Sequence, residues 1–310
     1  MGMKTEGNIV TVVTCTYNRS KLIGSLYDSL LKQTDKNFKW LVIDDGSSDD
    51  TCQLIDKFID ENQIEIDYIY KTNGGKHTAL NYAFENIDTE LTIIVDSDDF
   101  LKPQAIETVR NDYAKILRGG VQDIGILVYL KEYPSGEVIG EAFNDDALVA
   151  DGIKYIINAQ VKGDKAEVFL TDALKKYRFP VFAEEKFMGE TVVFIPVYRE
   201  YKCFVRNDSI CVCEYLNGGL TKQGRKLRID NPLGGMQNSL QYINNDIKMK
   251  LQIKNALLFV AYSNFAKKQG KRDDFIFPNR WLYALCRVPG KLLYFLWSYK
   301  YDLKGKKYDT

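Results

Sequence analysis

Three carboxylates crowd into four consecutive residues at Asp96-Ser97-Asp98-Asp99, directly after the apolar run Ile93-Ile94-Val95. Like charges at this spacing repel and call for a cation. Hard oxygen ligands suit Mg²⁺ or Mn²⁺, which keep several waters and bridge to substrate phosphates. The bland alternative is an acidic cap for the helix that Pro103 announces, but a cap needs one carboxylate, not three. A second polar cluster, Asp44-Asp45-Gly46-Ser47, reads by itself as a turn. Beside the first cluster, Asp45 becomes a candidate acceptor for an N–H of a nucleobase. His77 is the single histidine. That rules out a multi-histidine metal centre and leaves a Ser-His-Asp triad only one residue to use.

These clusters need a scaffold, and the first half of the chain supplies one by alternating strand and helix. Residues 9–15 form a β-branched run of the buried-strand type. Ser20 is the expected N-cap of a helix carrying Leu22, Ile23, Leu26 and Leu30. Strands are expected at 38–43, 64–70 and 91–95. Helices are expected from Thr51, after Asn73-Gly74-Gly75, and after Pro103 with Ile106, Val109 and Tyr113 inward. Such alternation means parallel strands with right-handed crossovers, whose ligand sits at the strands' carboxyl ends. Three of those ends carry polar clusters, at 14–19, 44–48 and 96–99. Beyond Gly119-Gly120 the rhythm changes: a strand at 124–130, a turn at Pro134-Ser135-Gly136, a helix near 148–159, and helical character from Asn231 onward.

Four segments, Val13-Thr14-Cys15-Thr16-Tyr17-Asn18-Arg19, Val42-Ile43-Asp44-Asp45-Gly46-Ser47-Ser48-Asp49, Asn73-Gly74-Gly75 with Ala79 and Asn81, and Asp96-Ser97-Asp98-Asp99, can be compared as a set. In order and spacing, over about residues 8–110, they resemble the successive motifs of glycosyltransferase family 2, of the bacterial surface-polysaccharide type. The resemblance implies an α/β fold of the GT-A kind: a Rossmann-like, mostly parallel sheet flanked by helices, with a helical carboxy-terminal extension. It implies a nucleotide pocket made by Cys15, Tyr17, Asn18, Arg19, Asp45, Asn73, Lys76, Asp96 and Ser97, with the base near Tyr17. Asp96 and Asp98 would handle ribose and metal, the cofactor being Mn²⁺ or Mg²⁺. Cys15 stands where the family often has proline, and backbone contacts there should survive the change. His77 is read as a solvent-facing residue of a first helical turn, with a polar contact to the donor as the alternative.

An inverting transfer also needs a base for the acceptor hydroxyl. The stretch 182–191 resembles the place where the family carries an acidic base just before a helix. Glu190, preceding Val192-Val193-Phe194, is the choice; Glu184 and Glu185 are the alternatives, and a simple helix cap is the bland reading. The family more often shows aspartate in a Glu-Asp pair here. The expected activity is metal-dependent transfer of a hexose or N-acetylhexosamine from a nucleotide-diphosphate donor, a UDP-sugar, to a glycan or lipid-linked acceptor. A nucleotidyltransferase would show a glycine-rich loop after the first strand, and residues 14–20 hold no glycine. A non-catalytic sugar-nucleotide-binding module is the other rival, and intact Asp96 and Asp98 speak against it.

Composition sets the remaining limits. The 310 residues, 45% hydrophobic and 27% charged, exceed one ordinary domain and balance to zero net charge, so no global field draws nucleic acid. The division expected is 8–120 for nucleotide-sugar binding, 121–229 for acceptor contacts and the base, and 230–310 as a helical region. The six cysteines show no disulfide or zinc spacing and are expected to be reduced thiols of a cytosolic protein. Residues 1–8 lack the apolar stretch of a signal peptide, and no apolar run reaches about 20 residues. The glycine hinge and basic run at 214–228 are expected to form a mobile phosphate-covering loop. From Arg280 the chain is aromatic and basic, with a break at Pro289-Gly290. Trp281, Tyr283, Tyr294, Phe295, Trp297 and Tyr299 beside Arg287, Lys291, Lys304, Lys306 and Lys307 are expected to rest on the inner face of the cell membrane.

Overall fold

The computed structural model describes residues 9–214, 220–272 and 274–305, the side chains at 220–223 and 302–305 excepted. Strand and helix alternate through β1 (Val10–Thr16), α1 (Ile23–Leu31), β2 (Phe38–Asp44), α2 (Thr51–Glu61), β3 (Glu65–Tyr70), α3 (Lys76–Asn86) and β4 (Leu91–Ile94). Then follow β5 (Phe100–Leu101), α4 (Ala105–Arg118), β6 (Ile124–Glu132), β7 (Leu148–Asp151), a π-helical turn (Ile153–Ile157), β8 (Lys165–Leu170), α5 (Thr171–Leu174), α6 (Thr191–Glu200) and β9 (Lys202–Val212). Four helices close the described chain: α7 (Leu220–Asp230), α8 (Pro232–Leu240), α9 (Met249–Lys268) and α10 (Arg280–Gly305).

All the strands join one sheet in the order β3-β2-β1-β4-β8-β6-β9-β5, with β7 on β9. The Rossmann-like part is parallel: β1 lies between β2 and β4, and β2 pairs β3, each with helical crossovers. From β8 the sheet is mixed, since β8 runs antiparallel to β4 and β6, while β6 and β9 are parallel. Consecutive apolar residues in β1, β2 and β4 are buried, as strands covered on both faces require. Trp40, Phe38, Leu26, Leu30 and Ile55 fill the core between these strands and α1 and α2.

Two compact units emerge. One comprises the described part of Met1–Arg178 with Pro196–Glu214 and holds the whole sheet. The other comprises Phe179–Ile195 with the described part of Tyr215–Thr310 and is helical, its core built from Met236, Phe259, Tyr262, Phe265 and Trp297.

Several local expectations change. Residues 148–159 are not a helix: Leu148-Val149-Ala150-Asp151 pair with β9 as an edge strand, and only a π turn follows. Ser20 does not cap α1, which starts at Ile23 after Leu22; its hydroxyl instead donates to Asp49 Oδ2 at 2.8 Å. Pro289-Gly290 does not break the last helix, because α10 runs through it. Gly290 there lies against α9, where a Cβ would come within 2.6 Å of Val260, so packing overrides the local signal. The hinge at 215–219 lies outside the described residues, but the basic run after it is helical rather than a loop. Within that run Arg225 stacks on Trp297, 4.1 Å from the ring centre, and Lys226 pairs with Asp230 at 2.9 Å.

Candidate functional site

The carboxyl ends of β1, β2 and β4 meet because the register places Thr16 beside Asp44 and Val13 beside Ile94. The Asp45 N–H donates to Thr16 O at 2.8 Å, closing the β2 end onto the β1 end. Asn18, at φ 52°, accepts from Ser48 N through its side-chain oxygen at 2.8 Å, while its own N–H donates to Ser47 Oγ at 2.9 Å. Asp49 receives Ser20 N and Thr51 N, and these bonds together with the Ser20 and Thr51 hydroxyls hold its carboxyl below the usual range against the effect of burial. Gly46, at φ 84°, is needed here because a Cβ would come within 2.8 Å of Asn73 N. The loops after β1 and β2 are therefore one hydrogen-bonded clasp, with Tyr17 standing exposed at its edge.

Asp45 is more than a turn residue. It is buried, and its carboxylate accepts Lys71 Nζ at 2.5 Å, Asn73 Nδ2 at 3.1 Å, Gly74 N at 3.0 Å and Gly75 N at 2.7 Å. A carboxylate on the N–H groups that open α3 is stabilised by the helix dipole as well as by the bonds themselves. A nucleobase N–H directed at Asp45 would share oxygens already engaged. Lys71, which also donates to Thr78 Oγ1 at 2.9 Å, was not singled out by the sequence reading. The available signal was its position at the carboxyl end of β3. His77, expected in solvent, is 2% exposed in the first turn of α3, and burial lowers its pKa.

At the end of β4 the three carboxylates divide. Asp96 makes an ion pair with Lys76 from the start of α3. Desolvation opposes ionisation of Asp96, yet Lys76, Lys131 and Arg19 together outweigh it and hold its carboxyl below the usual range. Asp99 is buried and pairs with Lys131 Nζ at 2.9 Å. Burial disfavours the Lys131 ammonium, but the carboxylates of Asp99 and Asp96 keep it well above the ordinary lysine value. Lys131, at the end of the buried strand β6, was also missed. So Asp99 is not part of a three-carboxylate cation trap; a lysine already neutralises it. Asp98 is left with the opposite balance. Burial, then repulsion from Asp96 and Asp99, lifts its pKa, and Arg19 offsets this only in part. Ser97 is buried between them, and Cys15 is half-buried at the end of β1.

Asp96 and Asp98 are the two carboxylates here that would hold a divalent cation, if one binds. Asp98 is a repelled carboxylate that a cation would relieve. Among the described residues no group of three or more His, Cys, Asp or Glu could hold an ion by itself, so the other ligands would be substrate oxygens and water.

In the helical unit the acidic candidates differ sharply. Glu185 is buried and accepts Leu233 N at 2.9 Å and Gly234 N at 2.7 Å, which open α8, as well as Lys271 Nζ at 2.9 Å. It holds that unit together. Glu184 is exposed. Glu190 is half-buried immediately before α6, and its carbonyl accepts Val193 N and Phe194 N, as an N-cap residue's does.

Residues 11–140 match the model of Glycosyl transferase family 2. An uncharacterized glycosyltransferase of Mycoplasma pneumoniae is 35% identical over 126 residues, covering 39% of this chain and 41% of that protein. The Staphylococcus aureus poly(ribitol-phosphate) β-N-acetylglucosaminyltransferase TarS is 30% identical over 99 residues, 31% of this chain and 17% of its own. The chain thus matches less than half the length of these relatives. A crystal structure of TarS in complex with UDP-GlcNAc superimposes with TM-score 0.62 at 22% identity, covering 84% of this chain and 72% of that one. The mannosyltransferase PcManGT of Pyrobaculum calidifontis, in complex with GDP-Man and Mn²⁺, gives TM-score 0.55 at 16% identity over 95% and 84% of the two chains. At these identities the likeness is one of fold: a central sheet flanked by helices, of the GT-A kind, with a helical carboxy-terminal region.

Proposed function

We propose that this chain, whose residues 11–140 match the model of Glycosyl transferase family 2, moves a sugar from a nucleoside-diphosphate donor, a UDP-sugar, to an acceptor hydroxyl on a glycan or lipid-linked saccharide. The observation that carries the reading is the paired carboxylates Asp96 and Asp98 at the end of β4, with Arg19 and Lys76 as neighbouring cations and the Asp45 clasp on the adjoining strand ends. That arrangement offers hydrogen-bond acceptors for a nucleoside and positive charge for its diphosphate. The UDP-GlcNAc complex of TarS supports the choice of donor, and the GDP-Man and Mn²⁺ complex of PcManGT supports a divalent ion.

In this reading Tyr17 and Cys15 flank the nucleobase, and Asn18 keeps the pocket's two loops in place. Asp45 and Asn73 face the nucleoside, and Asp96 and Ser97 face the ribose. Asp96 and Asp98 would hold Mn²⁺ or Mg²⁺, which when bound neutralises charge on the leaving diphosphate. Arg19 and Lys76 supply further positive charge beside that diphosphate. Glu190 takes the proton of the attacking acceptor hydroxyl, and the transfer inverts the anomeric centre. Glu185 is set aside for this role because α8 and Lys271 occupy its oxygens. Residues 8–120 would bind the donor, 121–229 would supply acceptor contacts and the base, and 230–310 would bring the enzyme to the inner membrane surface for assembly of a surface polysaccharide. No helix among the described residues is long and apolar enough to cross a membrane.

A panel of UDP-, GDP- and TDP-sugars, tested with Mn²⁺ for slow donor hydrolysis and thermal stabilisation, checks the donor class. UDP-sugars should respond and the others should not. Equal indifference to every nucleotide sugar would overturn the proposal.

A further inference from the structure

The helix α10 carries two apolar faces, and only one of them belongs to a core. Leu282, Cys286 and Trp297 are buried, and Leu293 and Tyr294 pack with them against α9 and its neighbours. Trp281, Leu285, Val288, Leu292, Phe295 and Tyr299 form a separate stripe whose members are 54% to 86% exposed. Their spacing alternates four and three residues, so on one continuous helix they fall in a single line of about 27 Å. Soluble surfaces scatter such residues singly; a contiguous line of them marks a docking face. The composition expectation is thereby divided, because Trp297, Tyr283 and Tyr294 belong to the core cluster while Trp281, Phe295 and Tyr299 do not.

Charge selects the occupant. Residues 280–301 contain Arg280, Arg287, Lys291 and Lys300 and no aspartate or glutamate. On the helical wheel Arg280, Arg287 and Lys291 line one edge of the stripe. A second copy of the helix would also suit the four-three spacing, but pairing would bring these cations together with no carboxylate among residues 280–301 to answer them. An anionic bilayer surface complements both features, accepting the rings and aliphatic chains below the headgroups and the cations among them.

We propose that α10 lies flat on an anionic membrane surface through the Trp281–Tyr299 stripe, while its Leu282–Trp297 face stays in the protein. This rests on the membrane-surface reading of the carboxy-terminal segment and is independent of the transfer chemistry.

Tryptophan fluorescence of the full chain tests it directly. Of the three tryptophans, Trp40 and Trp297 are buried and Trp281 is 86% exposed, so a change on binding reports Trp281. Vesicles of phosphatidylcholine mixed with phosphatidylglycerol should shift the emission to the blue, and brominated lipid should quench it; phosphatidylcholine alone should do so weakly. Trp281→Phe should abolish the shift yet still sediment with the vesicles. The double variant Leu285→Glu/Leu292→Glu, at exposed positions and so expected to melt like the parent, should sediment at least about tenfold less well. Arg287→Ala and Lys291→Ala should each weaken binding about fivefold. If the parent protein ignores anionic vesicles, the membrane reading itself fails. If it binds but the double variant binds equally, the stripe is the wrong face and membrane contact survives. A dimer by light scattering that Leu285→Glu/Leu292→Glu converts to a monomer, without vesicle binding, would give the stripe to a second copy instead.

Discussion

Replacing Glu185 by glutamine changes one atom and should unfold much of the helical unit's margin. The native carboxylate accepts two backbone N–H groups at the start of α8 and the Lys271 ammonium, whose side chain is 10% exposed. Glutamine keeps one acceptor oxygen and turns an NH₂ toward a donor it cannot satisfy. One buried N–H left without an acceptor costs about 1–3 kcal/mol. Lys271 meanwhile loses its counter-ion in a nearly dry site, and breaking such a pair typically costs about 3–5 kcal/mol. These losses share one network and do not add fully, so a total of about 3–5 kcal/mol is expected. Urea unfolding followed by tryptophan fluorescence, to which Trp297 of that unit's core contributes, together with far-UV helical signal measures it. Glu185→Gln should shift the transition to markedly lower urea, and any loss of transferase activity should follow the folded fraction. A change below about 1 kcal/mol, or lost turnover in a protein that melts normally, would refute the reasoning and return Glu185 to the list of bases.

Glu190→Gln should show the reverse pattern, with melting and donor binding kept and transfer reduced by roughly 10²-fold or more; normal transfer, or retention of anomeric configuration, would remove Glu190 as base. Asp98 gives a pH signature. Its carboxyl is raised by burial and by Asp96 and Asp99, so the native state binds that proton more tightly than the unfolded chain does, and metal-free stability should rise as pH falls through the raised value. A bound cation must displace the same proton, so Mn²⁺ affinity should drop about tenfold per pH unit below it, and Asp98→Asn should flatten both curves. Thiol labelling offers a fourth check. Burial pushes Cys203 and Cys211 up to about 12, so the half-buried Cys15 and Cys52 should react first. UDP with Mn²⁺ at ten times its dissociation constant should slow labelling of Cys15 about tenfold and spare Cys52, and unprotected Cys15 would lie outside the pocket.

The strand ends were legible because each apolar run stops at a polar cluster, a pattern that needs no partner to be seen. What each carboxylate does there was not, since that depends on residues far along the chain. Asp99 is answered by Lys131 and Glu185 by Leu233, Gly234 and Lys271, pairings that only the folded topology creates. Asp45 looked like a turn and is the acceptor for the opening of α3. Local rules failed where packing outweighed them. Pro289 sits inside α10 because Gly290 seats that helix against α9, and residues 148–151 pair with β9 rather than coil. His77 was expected in solvent as a first-turn residue, and the sequence could not show that its helical turn faces inward.

Calorimetric titration of UDP, with and without Mn²⁺, into the parent protein and Asp98→Ala tests the central claim most directly. Asp98 is a repelled carboxylate, so its removal should leave melting unchanged or slightly higher. The parent should bind UDP at least about tenfold tighter with Mn²⁺ than without, and Asp98→Ala should lose that increment. Equal UDP affinity of the two proteins in saturating Mn²⁺ would contradict the assignment of this site.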